Sequence, residues 1–548
     1  MTILGGMLRL WSLGRLGLVH FDEGIYAMAG DWIQSPSGIG GLDPTVIAYA
    51  PPGFPFLVGL AYGVLGRGDV AAILVSIVAG VLTIPVAGWL GWRTFGRGAG
   101  ASAAALCALA GPHIAFSRMA LTDASFLLAW LVAIGVGQRF LERPGPARAL
   151  ALGLAVGVAQ LFKYNGWLAG AAVAACAVIL TLARPRDRTA WLALWGWGLL
   201  AAAVAATLYW PWFRFVEGHG GYARLLEHQR GYMGGLAAWP RFAVTQLRQN
   251  HALSGGPGLL LGSGLAAALA MLAARGIRGG ALAAMAFAMI VSALVLAFGL
   301  LFVAFVGIWL MAVGLLRPVG RSTGLLIIAW LGLAVLTPFY HPYARLLLPF
   351  QSMSWLLAAG LFVRLEEGIE RLTAVSRPGT IGGPAKVLFA AAALWILPTL
   401  LAFTAYWASS RSLADLLEPS DSVRAACRKI TGILPRNLEH LRLLARPPVT
   451  FYLSSSAAVS PQPTLERLLT GGDTTSWTLI DGAMIEQSGE DRRRLARARV
   501  RWDFVREVPT TMNLPTLLDV DPGAATRRDQ NPRASLLLFR PKRTGARR

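Results

Sequence analysis

The sequence predicts a mainly α, polytopic membrane bundle of about 13 spans with a small C-terminal extracytoplasmic α/β domain. Three observations predict it. The 548 residues are 55% hydrophobic and only 14% charged, where a soluble chain is about a quarter charged. Long apolar runs recur from Ala71 to Trp407 and stop there. Arginines fall in the short loops between runs, so the net charge of +22 reads as membrane orientation rather than nucleic-acid binding. The 3 cysteines are too scattered for a disulfide framework or a metal knuckle.

The elements follow in chain order. With the N-terminus cytoplasmic, an apolar first segment acts as anchor and export signal and delivers Asp22 and Glu23 to the outer side. About 18 residues precede His20, and Arg9 and Arg15 interrupt them. A full span needs roughly 20, so either these arginines snorkel or the true start lies upstream. Gly30 to Pro55 carries loop punctuation, and Phe56 to Leu65, too short to cross, lies along the interface. Spans are then predicted over Ala71–Trp92, Ala99–Phe116, Ala120–Gly137, Ala149–Phe162, Trp167–Ala183, Trp191–Phe213 and Leu259–Ala274. A tight pair within Ala281–Leu316 follows, then Leu325–Tyr340, Leu346–Val363 and Val387–Trp407. Residues 1–410 form the transmembrane domain, and 411–548 form a charged extracytoplasmic domain with no span. In the latter, Val449–Leu453, Trp477–Ile480 and Ser535–Phe539 read as strands, and Leu465–Leu469 and Asp491–Ala498 as helices.

Sidedness organises the chemistry. Alternating the spans places Asp22-Glu23, Arg118 to Asp123, Lys163-Tyr164-Asn165, a loop from Arg214 to about Gly256, and Tyr340 to Arg345 on one outer face. A single polar residue at a span end is most simply solvated; five such groups on one side point to a site. Asp22 and Glu23 are the sharpest pair, since a carboxylate partly desolvated at a membrane exit becomes a better base. The bland alternative is a helix N-cap. Lys163 can snorkel, Arg118 can pair with Asp123, and Asp123 can sit at a helix dipole.

The order Asp22-Glu23, Tyr26-Ala27, Pro51-Pro52, Thr122-Asp123 and Tyr343-Ala344-Arg345-Leu346-Leu347-Leu348-Pro349 resembles the GT-C membrane glycosyltransferases. The similarity is to the ArnT-like and protein O-mannosyltransferase-like group, over about Met1 to Trp407. The resemblance implies an inverting glycosyltransferase that moves a hexose or pentose from a polyprenyl-phosphate carrier to an acceptor hydroxyl on a glycan, lipid or protein. It implies Asp22 as general base with Glu23 in support. Arg118, Lys163, His341 and Arg345 are then candidates for the anionic lipid phosphate. Asp123 would orient the acceptor, and Tyr164 and Tyr343 complete the expected substrate-binding set. One departure stands out: ArnT-like members tend to have lysine directly before the Pro-Pro pair, and here that residue is Ala50.

No cofactor is certain from the sequence. A divalent metal is left open, with Glu227-His228 the nearest candidate pair, but no tight ligand spacing is present. The expected location is the inner, cytoplasmic membrane, with the site and the C-terminal domain on the extracytoplasmic side. A transporter or flippase is the alternative, although such proteins put ionisable groups near the bilayer midplane.

Overall fold

The computed structural model describes residues 1–34, 48–183, 188–275, 320–375 and 412–542, apart from 437, 463, 471–475, 488–497, 499 and 527–533 in the last stretch. The expected spans within Ala281–Leu316 and over Val387–Trp407, and most of the helix over Asp491–Ala498, lie outside the described residues.

The chain opens with helices α1 (Thr2–Leu10) and α2 (Phe21–Gln34), then α3 (Gly53–Leu65), α4 (Asp69–Phe95), α5 (Arg97–Leu109), α6 (Gly111–Ser117) and α7 (Thr122–Glu142). Next come α8 (Pro146–Phe162), α9 (Leu168–Ala183), α10 (Arg188–Gly218), α11 (Gly221–Arg230), α12 (Trp239–Ala252) and α13 (Gly256–Arg275). Helices α14 (Arg321–Leu336) and α15 (Leu348–Val375) are joined by 3-10 turns at Thr337–Phe339 and Ala344–Leu347.

By length and composition, four described helical segments can cross a membrane: Asp69–Phe95, Thr122–Glu142, Arg188–Gly218 and Arg321–Phe339. A fifth is added if the bent pair α5–α6 counts as one span. The count of about 13 spans drawn from hydropathy therefore exceeds what the described helices show. Two expected spans, α8 and α9, form shorter apolar helices. The region read as a loop from Gly30 is helical to Gln34, because α2 carries its periodic apolar face past Gly30 onto α3.

The α5–α6 bend of 57° has a local cause. Pro112 has no N–H, so the carbonyl of Ala108 four residues earlier loses its helical donor. Arg9, fully buried, replaces it: Nη1 donates to Ala108 O at 3.1 Å and to Gly5 O at 2.9 Å, and Nη2 donates to Cys107 O at 3.4 Å. Arg9 is thus used inside the bundle rather than reaching water.

The C-terminal segment carries a five-stranded sheet with strand order β2-β1-β3-β5-β4, formed by β1 (Leu441–Leu444), β2 (Val459–Pro461), β3 (Trp477–Asp481), β4 (Trp502–Thr510) and β5 (Ala534–Pro541). The β1 pairings are parallel, and those of β5 with β3 and β4 are antiparallel. The expected strands at Trp477–Ile480 and Ser535–Phe539 and the helix at Leu465–Leu469 fall on β3, β5 and a helix over Leu465–Thr470. Val449–Leu453 does not form a strand. It belongs to a helix over Pro447–Leu453, where Pro447 and Pro448 take first-turn positions that need no N–H donor.

This segment grips the chain just before α2. Leu18 N–H donates to Tyr452 Oη at 2.8 Å, Gly17 N–H to Ser420 Oγ at 3.2 Å, and Arg446 reaches Val19 O at 3.5 Å. Arg446 is itself held by Asp481 at 2.7 Å, with both side chains buried. Asp69 at the start of α4 takes Tyr452 Oη at 2.7 Å and Arg424 Nη1 at 3.0 Å. The packing is close enough that a Cβ on Gly24 would lie 2.2 Å from the backbone nitrogen of Pro448.

Candidate active site

The site is built on the first turn of α2. Glu23, at the third helical position, turns back on the helix start. Its Oε2 accepts the N–H groups of His20 and Val19, both at 2.8 Å, and its Oε1 accepts Ala120 N–H at 2.8 Å. The first two bonds satisfy amides at the helix start, and the third ties that start to the turn before α7. Glu23 is fully buried. Burial pushes its carboxyl above the usual range, against the three amides that favour its charge. It is an anchor that fixes the backbone under Asp22.

Asp22, one residue earlier, points the other way and keeps 31% of its side chain exposed. Its Oδ2 accepts Arg345 Nη1 at 2.8 Å. Burial acts to raise its carboxyl, but Arg345 and His20 outweigh burial and hold it below the ordinary value. Arg345 sits on the short 3-10 turn Ala344–Leu347. Its Nη1 is also 4.0 Å from Asp123 Oδ2, its Nε is 3.2 Å from Asp519 Oδ2, and its Cζ lies 5.2 Å from the Tyr343 ring centroid. Burial works against the guanidinium charge, yet the three aspartates raise its affinity for a proton far above normal. Lys163, at the C-terminal end of α8, places Nζ 2.5 Å from Asp123 Oδ1.

Asp22, Asp123, Lys163 and Arg345, expected on one face, therefore meet in one charged cluster. His341 and Tyr343 stand beside it, ring centroids 4.5 Å apart, and Tyr232 lies 6.4 and 6.2 Å from them. His341 N–H donates to Tyr232 O at 2.7 Å, and Gly234 N–H to Phe339 O at 2.7 Å, so the polar stretch after α11 and the turn before Arg345 are laced together. Burial lowers the His341 imidazole, with Asp519 opposing.

Two expected site residues are placed otherwise. Arg118 is not in the cluster and does not pair with Asp123. Its Nη1 donates to the carbonyls of Leu8, Arg9 and Trp11 at 3.2, 3.3 and 2.6 Å, and its Nη2 to Leu417 O at 3.3 Å. The carbonyls of Leu8, Arg9 and Trp11 lie at the C-terminal end of α1, where helical acceptors lack partners. Nη1 of the guanidinium is used as a cap, away from the charged cluster. Tyr164 donates to Ala48 O at 2.5 Å and accepts Trp212 Nε1 at 3.1 Å. It pins the stretch before Pro51-Pro52 rather than joining the charged cluster.

Sequence reasoning missed Asp519 and the role of His20. Asp519 lies on a helix over Leu514–Val520 in the C-terminal segment. Its carboxylate, only 2% exposed, stands 3.2 Å from both His20 Nε2 and Arg345 Nε. His20 Nδ1 accepts the backbone N–H of Asp22 at 3.0 Å. With Nδ1 as acceptor, the neutral imidazole carries its proton on Nε2, facing Asp519. The one available signal was an acid inside the apolar run Leu517-Leu518-Asp519-Val520.

Among the described residues, no group of three or more His, Cys, Asp or Glu side chains could hold a metal ion. His228 instead lies against Tyr49, with ring centroids 4.4 Å apart and planes tilted by 30°.

The fold is similar to that of solved GT-C membrane glycosyltransferases, and one part of the chain matches a glycosyltransferase family model. Residues 49–210 match the family model described as dolichyl-phosphate-mannose-protein mannosyltransferase. The fold is similar to ArnT from Cupriavidus metallidurans bound to undecaprenyl phosphate, at TM-score 0.55 and 16% identity, covering 98% of this chain and 96% of that one. It is also similar to the oligosaccharyltransferase of Archaeoglobus fulgidus in complex with Zn and sulfate, at TM-score 0.50 and 15% identity, covering 91% of this chain and 69% of that one. A second structure of that archaeal enzyme, tethered to an acceptor peptide containing the NVT sequon, matches at TM-score 0.50 and 13% identity, covering 96% of this chain and 71% of that one. No curated protein matches the sequence.

Proposed function

We propose that this protein is an inverting glycosyltransferase that moves a sugar from a polyprenyl-phosphate carrier to an acceptor hydroxyl on the extracytoplasmic face of the inner membrane. Residues 1–410 would carry catalysis, and 411–548 would form a separate outer domain that completes the pocket. The observation that carries the reading is the Asp22–Arg345 pair, 2.8 Å apart, with Lys163 and Asp123 beside it. One acid and two cations at the helix ends supply what a single displacement requires.

In that step Asp22 Oδ2 takes the acceptor hydroxyl proton as the acceptor oxygen bonds to the anomeric carbon. The bond from that carbon to the phosphate oxygen breaks, and its electron pair leaves with the lipid phosphate. Arg345 and Lys163 receive the growing negative charge. The resting pair has a further use. A phosphate that draws Arg345 away leaves Asp22 without its main positive partner, and its basicity then rises when the donor is bound.

Asp22→Asn keeps the shape and removes the base. Turnover of a polyprenyl-phosphate sugar, followed by mass spectrometry of envelope glycans and lipids, should fall by about 100-fold or more. Undiminished transfer by the folded variant overturns the reading. The transporter alternative draws on the broken α5–α6 helix and buried Arg9, but Arg9 is bound to the carbonyls of the break itself.

A further inference from the structure

Asp22 and Asp519 are linked by two bridges. One runs through Arg345, with Nη1 2.8 Å from Asp22 Oδ2 and Nε 3.2 Å from Asp519 Oδ2. The other runs through His20, which accepts the Asp22 N–H at 3.0 Å and places Nε2 3.2 Å from Asp519. The four residues close a ring. Three of them come from the N-terminal corner and the turn before α15, and the fourth comes from the far end of the chain.

Asp519 differs from Glu23 in how it is held. Glu23 is tied by three backbone amides. Neither oxygen of Asp519 is in hydrogen-bond geometry with a partner, although the side chain is 2% exposed. A buried carboxylate is normally stabilised by several donors. This one relies on two facing nitrogens, His20 Nε2 and Arg345 Nε, from residues whose other nitrogens contact Asp22. Three acids, Asp22, Asp123 and Asp519, moreover share the cations Arg345 and Lys163.

We infer that Asp519 is a positioning residue: it holds the Nε edge of Arg345 and the Nε2 edge of His20, and so sets how tightly Asp22 is paired and how strongly a lipid phosphate can draw Arg345 away. This rests on the glycosyltransferase reading for its purpose, but not for its test. Arg345, His20 and Lys163 favour the charged form of Asp22, and the carboxylates of Glu23, next in sequence, and of Asp123 and Asp519, which share Arg345 with it, act against that form as like charges. The phenols of Tyr26, Tyr232, Tyr340 and Tyr343 surround them. Removing the Asp519 charge strengthens the positive field at Asp22 and leaves Arg345 with one fewer anionic competitor.

The test uses the full-length protein in detergent. The Asp22 carboxyl is titrated by infrared difference spectroscopy against Asp22→Asn, and binding of undecaprenyl phosphate is measured in parallel. In Asp519→Asn the Asp22 midpoint should move to lower pH by at least about half a unit, and undecaprenyl phosphate should bind at least about threefold more tightly. Asp519→Glu should restore both values toward wild type. If Asp519→Asn does not fold, Asp519→Ser gives the same readout. An unchanged midpoint together with unchanged affinity, even with a lowered Tm, overturns the inference and leaves Asp519 a docking residue. Neither measurement needs sugar transfer, so a failure of the glycosyltransferase reading is a separate result.

Discussion

Arg345 Nη1 and Asp22 Oδ2 stand 2.8 Å apart in a cluster that also brings Arg345 within reach of Asp123 and Asp519. The guanidinium is thus the shared partner of three acids that come from α2, α7 and the C-terminal segment. Replacing it leaves those acids to repel one another.

Arg345→Met should therefore raise the Asp22 carboxyl, which Arg345 now holds below its usual 3.8 against the opposing effect of burial. A lowered folded value stabilises the protein above the unfolded value and ceases to do so as pH falls through the folded one. The Tm difference between wild type and Arg345→Met should be largest near neutral pH and shrink in acid. A pH-independent difference would show that the pair does not contribute through Asp22. Undecaprenyl phosphate binding should fall about tenfold or more in the same variant.

Glu23→Ala strips three buried amides of their acceptor. The expected cost is about 3 kcal/mol, seen as a drop in Tm. Glu23→Gln retains one carbonyl oxygen but turns a donor toward an amide, so it should recover only part of the loss.

Arg118→Ala leaves the carbonyls of Leu8, Arg9, Trp11 and Leu417 without their donor. Stability should fall by about 2 kcal/mol, while undecaprenyl phosphate affinity of the folded fraction stays within about twofold of wild type. A large selective loss of affinity would return Arg118 to the phosphate site.

Gly24→Ala tests the seam between α2 and the helix over Pro447–Leu453. The new methyl would lie 2.2 and 2.3 Å from backbone atoms of Pro448 and Pro447, which cannot step aside as a flexible side chain could. A cost of about 2 kcal/mol or more should appear as faster proteolysis of the C-terminal segment, with the spans still inserted.

Much of the site was legible because the chain is so apolar. In such a sequence an acid or a base at a span end has a steep desolvation cost unless it has partners, and Asp22, Asp123, Lys163 and Arg345 do partner one another. Arg118 carried the same signal and was misread, since a cation beside a membrane exit looks alike whether it faces a phosphate or a row of helix-end carbonyls. Val449 to Leu453 read as a strand from its β-branched and aromatic content, which the preceding proline pair overrode. Asp519 was beyond reach. A single acid in Leu517-Leu518-Asp519-Val520 has no local pattern, and its meaning arises only when the chain folds back on His20 and Arg345.

The position of Asp519 also sets an order of assembly. Every described span precedes it in the chain, so a nascent protein can have its helices in the bilayer while the Asp22 corner still lacks Asp519. The corner is complete only once the C-terminal segment is seated against Gly17, Leu18 and Val19 through Ser420, Tyr452 and Arg446. A copy whose C-terminal segment is not yet in place would have Arg345 and His20 without the carboxylate that faces them both.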